Sequence, residues 1–160
     1  MGSNISGIGG GSGGGGGYPT AAAAGILAAR ATGQTFTYVA NTPQKLTLST
    51  VTYDAASYYS TGTGRYTPTV AGYYLVYGVV SAPEVANAAA LAYVYKNGAS
   101  FALGSVFQGN AFGTLSAVRA LVFLNGSTDY VELWGSCNAA GTTNVNAGTF
   151  MRLEVSRVAA

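Results

Sequence analysis

Residues able to do acid–base, nucleophilic or metal chemistry are scarce in this sequence. There are five carboxylates (Asp54, Glu84, Asp129, Glu132 and Glu154), one thiol (Cys137) and no histidine. Without histidine, Ser-His-Asp and Cys-His arrangements, His-containing zinc sites and the usual neutral-pH general base are excluded. A single cysteine excludes clustered-thiolate metal sites and an intrachain disulfide. It reads as a small buried side chain at a strand end, or as a thiol left for intermolecular pairing. Glycoside hydrolysis needs two carboxyls facing each other across a cleft, about 5–10 Å apart. Asp129 and Glu132 are close in sequence, yet an offset of three puts them on opposite faces of a strand. Asp54 and Asp129 lie beside turns, where Asp bonds local backbone. The expectation is that there is no catalytic residue, no metal site and no cofactor.

The abundant resource is tyrosine, with 12 in 160 residues. Tyr is amphipathic and gives up little conformational freedom in a contact, so it suits cores, interfaces and binding loops. Tyr73, Tyr77, Tyr93 and Tyr95 fall within alternating runs and read as core or subunit packing. Tyr58 and Tyr59 fall in ASYYSTGTG, a polar stretch without periodicity. They are candidates for a surface-binding loop that stacks on sugar rings or touches a protein, or for a lid on one end of the fold.

The chain that positions these residues is unusually poor in charge. Charged residues make up 8% of it, against about 25% in typical globular proteins, and the mean hydropathy is +0.28. So apolar a chain must clothe itself in Ser, Thr, Asn and Gly, or bury surface between subunits. The net charge of +2 comes from residues scattered along the sequence, which argues against nucleic acid as a partner. No apolar run approaches the roughly 18–20 residues of a membrane span, and the N-terminal segment is not a charged secretory leader.

Two regions follow. Residues 1–25 begin MGSNISGIGGGSGGGGGYPT, a glycine tract with neither a Gly-X-Y period nor the Lys-Ser/Thr of a phosphate loop. It is an ordinary linker, or an arm that threads into a partner where side chains would not fit. From residue 26 to 160 the punctuation is all-β: short apolar or alternating runs separated by Gly, Asn, Pro and Thr. Strands are expected near 26–31, 35–40, 45–53, 64–68, 72–82, 89–96, 99–107, 115–124, 128–137 and 149–157. The alanine-rich 20–31 stretch admits a short helix instead. Lys96-Asn97-Gly98 and Asn125-Gly126 read as tight hairpin turns. Residues 72–80 are apolar on both alternating faces, Tyr73, Leu75, Tyr77 and Val79 on one and Tyr74, Val76, Gly78 and Val80 on the other. In a two-sheet sandwich the second face needs cover from another subunit.

The order TVTYDAASYYSTGTG, GRYTPTVAGYYLVYGVV, AYVYKNGAS, LNGSTDYVELWG and TFMRLEV resembles the jelly-roll module of the complement component one q and tumour necrosis factor superfamily. The carrying residues are Tyr53-Asp54, Tyr66-Thr67-Pro68, Gly72-Tyr73-Tyr74 and Lys96-Asn97-Gly98. Ser127-Thr128 interrupt the family's Gly-Asp step before Asp129. GILAARATGQT and LNGSTDYVEL resemble versions found in bacteriophage structural proteins. The resemblance covers roughly residues 26–158 and implies a ten-stranded, two-sheet antiparallel jelly roll that forms homotrimers. Tyr73, Leu75, Tyr77, Val79, Tyr93 and Tyr95 are then candidate trimer-interface residues. It further implies a non-enzymatic virion knob, assembled in the host cytoplasm, whose arm docks on a capsid or tail protein. Ile5, Ile8 and Tyr18 are the candidate anchoring residues. Capsid decoration or head fibre and fibre tip both fit, with a host-surface glycan or protein as ligand through loops 54–63 and 108–114. The alternative is a free-standing lectin-like or ligand-binding trimer.

Overall fold

The structure, a computed structural model, describes residues 27–30, 32–108, 114–143 and 150–160. The arm, with Ile5, Ile8 and Tyr18, lies outside the described residues, as do all of 20–26 and most of the 108–114 loop.

Among the described residues fourteen short strands run β1 (Leu27–Arg30), β2 (Thr37–Tyr38), β3 (Gln44–Lys45), β4 (Thr50–Asp54), β5 (Tyr59–Ser60), β6 (Arg65–Tyr66) and β7 (Gly72–Ser81). They continue as β8 (Ala89–Lys96), β9 (Ala99–Leu103), β10 (Phe107–Gln108), β11 (Leu115–Leu124), β12 (Val131–Cys137), β13 (Gly141–Thr142) and β14 (Arg152–Ala159). All described pairings are antiparallel. One sheet has five strands in the order β11-β7-β14-β1-β4. A second follows β10-β8-β12-β6-β5, with β3 on β12 and β9 on β8, and β13 with β2 forms a small ribbon. Leu27–Arg30, where a helix was the alternative, is a strand.

The two main sheets enclose a core that alternation alone selects. Tyr74, Val76 and Val80 of β7 meet Val118, Val122 and Leu124 of β11, Leu153 and Val155 of β14, and Val94, Val131 and Leu133 of the other sheet. Gly78 is where the layers come closest. A Cβ there would collide with the Leu133 side chain and stand 3.2 Å from Val118 Cγ1. Glycine lets β7 and β12 pack without a gap or a clash.

Asn97 and Gly98, with φ of 53° and 80°, close the β8–β9 hairpin as the sequence suggested. Asn125-Gly126 does not make a hairpin. β11 pairs with β7 and β12 pairs with β8, so residues 125–130 turn a corner between sheets. Asn125 Oδ1 accepts from the backbone N–H groups of Ser127, Thr128 and Asp129, each at 3.0 Å. The expected continuous strand at 45–53 is likewise split, because β3 belongs to the second sheet and β4 to the first.

Candidate functional site

The first sheet turns one face inward and leaves the other outward. Strand register arranges the outward side chains in rows: Arg30–Arg152–Val79–Ala117, then Ala28–Glu154–Tyr77–Arg119, then Ser156–Leu75–Leu121, then Tyr73–Phe123. At one end the rows are apolar and open to water. Tyr73, Leu75, Leu121 and Phe123 are 44%, 39%, 56% and 45% exposed, and the Tyr73 and Phe123 rings meet edge-on at 5.4 Å. The other end is charged, with Val79 buried among exposed Arg30, Arg119 and Glu154. Both the Arg119 and Arg152 guanidiniums stand over the Tyr77 ring, at 5.2 and 5.3 Å. Arg152 also pairs with Glu154 at 3.1 Å. Leu75, Tyr77, Arg119, Arg152, Glu154 and Ser156 line an open cavity of about 360 Å³.

Tyr93 and Tyr95 stand on the opposite side of the molecule, on the outward face of the second sheet. They pair with Trp134 and Glu132 of β12. Of the six residues grouped as one trimer interface, Tyr73, Leu75, Tyr77 and Val79 therefore lie on the first sheet, and Tyr93 and Tyr95 on the second. Alternation says which residues share one side of a strand, but not to which sheet the strand belongs.

That second face is built around Glu132, 2% exposed. Its Oε1 accepts from Arg65 Nε at 2.9 Å and Lys45 Nζ at 3.5 Å, and its Oε2 accepts from Trp134 Nε1 at 3.0 Å. The carboxylate holds the Arg65 guanidinium more firmly protonated than usual. Arg65 also lies over the Tyr130 ring at 4.1 Å. Trp134 stacks on Tyr95 at 4.3 Å with 12° between planes, and Tyr93 meets Tyr95 edge-on at 6.1 Å. Burial, followed by the neighbouring Tyr93, pushes the Tyr95 hydroxyl above the usual phenol range. Beside Tyr93 a cavity of about 290 Å³ is lined by uncharged groups, among them Asn41, Leu91, Ser136 and Asn138.

Tyr58 and Tyr59 do not form an exposed pair. Tyr59 is 8% exposed, belongs to β5, and its hydroxyl accepts from the Leu48 N–H at 2.9 Å. Tyr58 packs edge-on against Tyr66 at 5.8 Å and shares a 2.7 Å hydrogen bond with Thr69. Tyr59 belongs to the buried core, and Tyr58 is packed against that core, partly buried.

The acids are held apart. Asp129 pairs with Lys96 at 3.0 Å and accepts from Asn97 Nδ2 at 2.7 Å. Those bonds, Asn97's foremost, hold its carboxyl below the usual range. Glu132 is enclosed by Arg65, Lys45 and Trp134 on the second face. Asp54 Oδ2 accepts from the Tyr59 N–H at 2.7 Å. Among the described residues no three His, Cys, Asp or Glu side chains gather as a metal site, and no helix is long and apolar enough to cross a membrane. Cys137 is buried, on the core side of β12.

No protein-family model matches the chain, and none of the curated proteins matches it. Solved structures do. Murine APRIL at pH 5.0 superposes with a TM-score of 0.61 at 9% identity, covering 84% of this chain and 98% of that one. The globular domain of zebrafish complement 1qA superposes with a TM-score of 0.55 at 17% identity, covering 82% and 91%. At such identities likeness establishes architecture alone. The chain folds as an antiparallel jelly roll similar to these two domains.

Proposed function

We propose that the protein is a non-enzymatic structural component of a bacteriophage virion, a homotrimeric knob attached to the particle through residues 1–25. One observation carries the self-association: the exposed apolar end of the first sheet, with Tyr73, Leu75, Leu121 and Phe123 on neighbouring strands. Covering it with other copies removes apolar surface from water at about 25 cal/mol per Å². The chain has twelve charged side chains, 7 Lys+Arg plus 5 Asp+Glu, and little other means of keeping that surface wet. Residues 1–25 lead almost directly into β1, a member of the same sheet. The virion assignment is supported by the sequence resemblance of GILAARATGQT and LNGSTDYVEL.

The second reading, a free-standing lectin-like trimer, is favoured by the aromatic row Tyr93, Tyr95 and Trp134 beside an uncharged cavity. Removing residues 1–25 separates the two. A virion component loses incorporation into particles while keeping its folded trimer. A free module keeps its ligand binding and has no particle to leave.

A further inference from the structure

The first sheet's outward face concentrates positive charge that the sequence scatters. Arg30, Arg119 and Arg152 meet there with Glu154, three cations against one anion, a local balance of +2. Arg30 stands directly opposite Arg152 across the β1–β14 pair. Like charges in that relationship, with Cβ atoms about 5 Å apart, destabilise a sheet. Glu154 answers Arg152 at 3.1 Å. Arg119 has the Tyr77 ring at 5.2 Å and no carboxylate partner among the described residues.

No other acid of the chain is placed to supply the missing charge. Asp129 serves Lys96 and Asn97, Glu132 serves Arg65 and Lys45, and Asp54 bonds the Tyr59 N–H. Glu84 has an interaction of its own. Residues 1–26 contain neither Asp nor Glu. The chain as a whole carries +2, so a second copy brings no net negative charge. We infer that the cavity beside Tyr77 binds a small tetrahedral oxyanion of the phosphate class, held by the Arg119 and Arg152 guanidiniums with Arg30 beside them. A guanidinium offers a planar fork of N–H donors that matches such an anion in two bonds at once. The volume of about 360 Å³ admits the anion with some water. The cavity is built from one protomer's residues, with Leu75 shared between it and the apolar stripe proposed for self-association. An anion there would also lower the charge that opposes covering the face.

The test is calorimetric titration of inorganic phosphate into the full chain at low ionic strength. Chloride at matched ionic strength is the control, and light scattering of the same samples gives the mass. Saturable binding is expected, absent with chloride and weakened about 10- to 100-fold in Arg119→Gln, as loss of a charge-assisted pair of bonds requires. Arg119→Lys should recover only part of it, because a point charge lacks the fork. No saturable phosphate heat, or equal affinity in Arg119→Gln, would overturn the site. A trimer that binds no phosphate removes this inference and leaves the self-association standing. A monomer that binds phosphate does the reverse.

Discussion

Phe123 stands directly opposite Tyr73 across β11 and β7, the two rings 5.4 Å apart and each nearly half open to water. In a sheet whose outer face served only solvent, such a pair would be polar. Leu121 and Leu75 form the next pair of the same stripe.

Leu121→Glu places a carboxylate at the centre of this stripe, at a position 56% exposed in the protomer. The expected outcome is a fall in solution mass from the trimer to 16.1 kDa. The far-UV circular dichroism of the β domain should be unchanged, since an exposed substitution alters protomer stability by only about 0.5 kcal/mol. An unchanged mass would locate the interface elsewhere.

Glu132 is the acceptor that organises the second face. Glu132→Gln keeps the shape but removes the charge that Arg65 and Lys45 share. Both cations are partly exposed, 42% and 32%, and can turn to water, so the cost is about 1–3 kcal/mol rather than that of a wholly buried pair. Denaturant unfolding followed by the fluorescence of Trp134, the chain's one tryptophan, measures it. Arg65→Gln leaves Lys45 on the carboxylate and should cost less.

Gly78 and Leu133 test the contact between the layers. Gly78→Ala should destabilise by about 1–3 kcal/mol through overpacking, and Leu133→Ala by about 2–5 kcal/mol through a cavity. Because the new methyl occupies space that the leucine vacates, the double substitution should cost less than the sum. A double-mutant cycle with strict additivity would contradict the close approach.

The pH dependence has two sides. Asn97 and Lys96 hold the Asp129 carboxyl below its usual range. Its contribution to stability is therefore complete above the unfolded value of about 3.9 and is lost as pH falls through the lower folded value. Asp129→Asn should flatten the stability profile below about pH 4. On the alkaline side, burial pushes the Tyr38, Tyr66, Tyr59 and Tyr74 hydroxyls upward. Their contribution is intact below about pH 10 and is lost as pH rises through the folded values. Ultraviolet titration should show a group of tyrosines that ionise only together with unfolding.

The strands long enough to carry alternation were legible in the sequence. β7, β8, β11 and β14 lie close to where apolar residues repeat at every second position, and Asn97-Gly98 announced its own hairpin. The two-residue strands β2, β3, β5 and β6 could not be delimited that way. They sit where the chain changes sheets, and pairing partners far along the sequence decide them. The same non-locality hid the site. Arg30, Arg119 and Arg152 looked scattered because only sheet register brings them onto one face. Tyr58 and Tyr59 looked like a loop because their packing partners, Tyr66 and Leu48, come from separate turns of the chain. Sheet membership, which separates Tyr73 from Tyr93, is likewise a property of topology and not of local pattern.

Self-association of the jelly roll is tested most directly by the mass of the full chain in solution. Light scattering should be recorded at a micromolar concentration and again after tenfold dilution. A mass near three times 16.1 kDa at both concentrations is the predicted result. A mass of 16.1 kDa at both would contradict it and leave the apolar stripe from Tyr73 to Leu121 without the cover assigned to it.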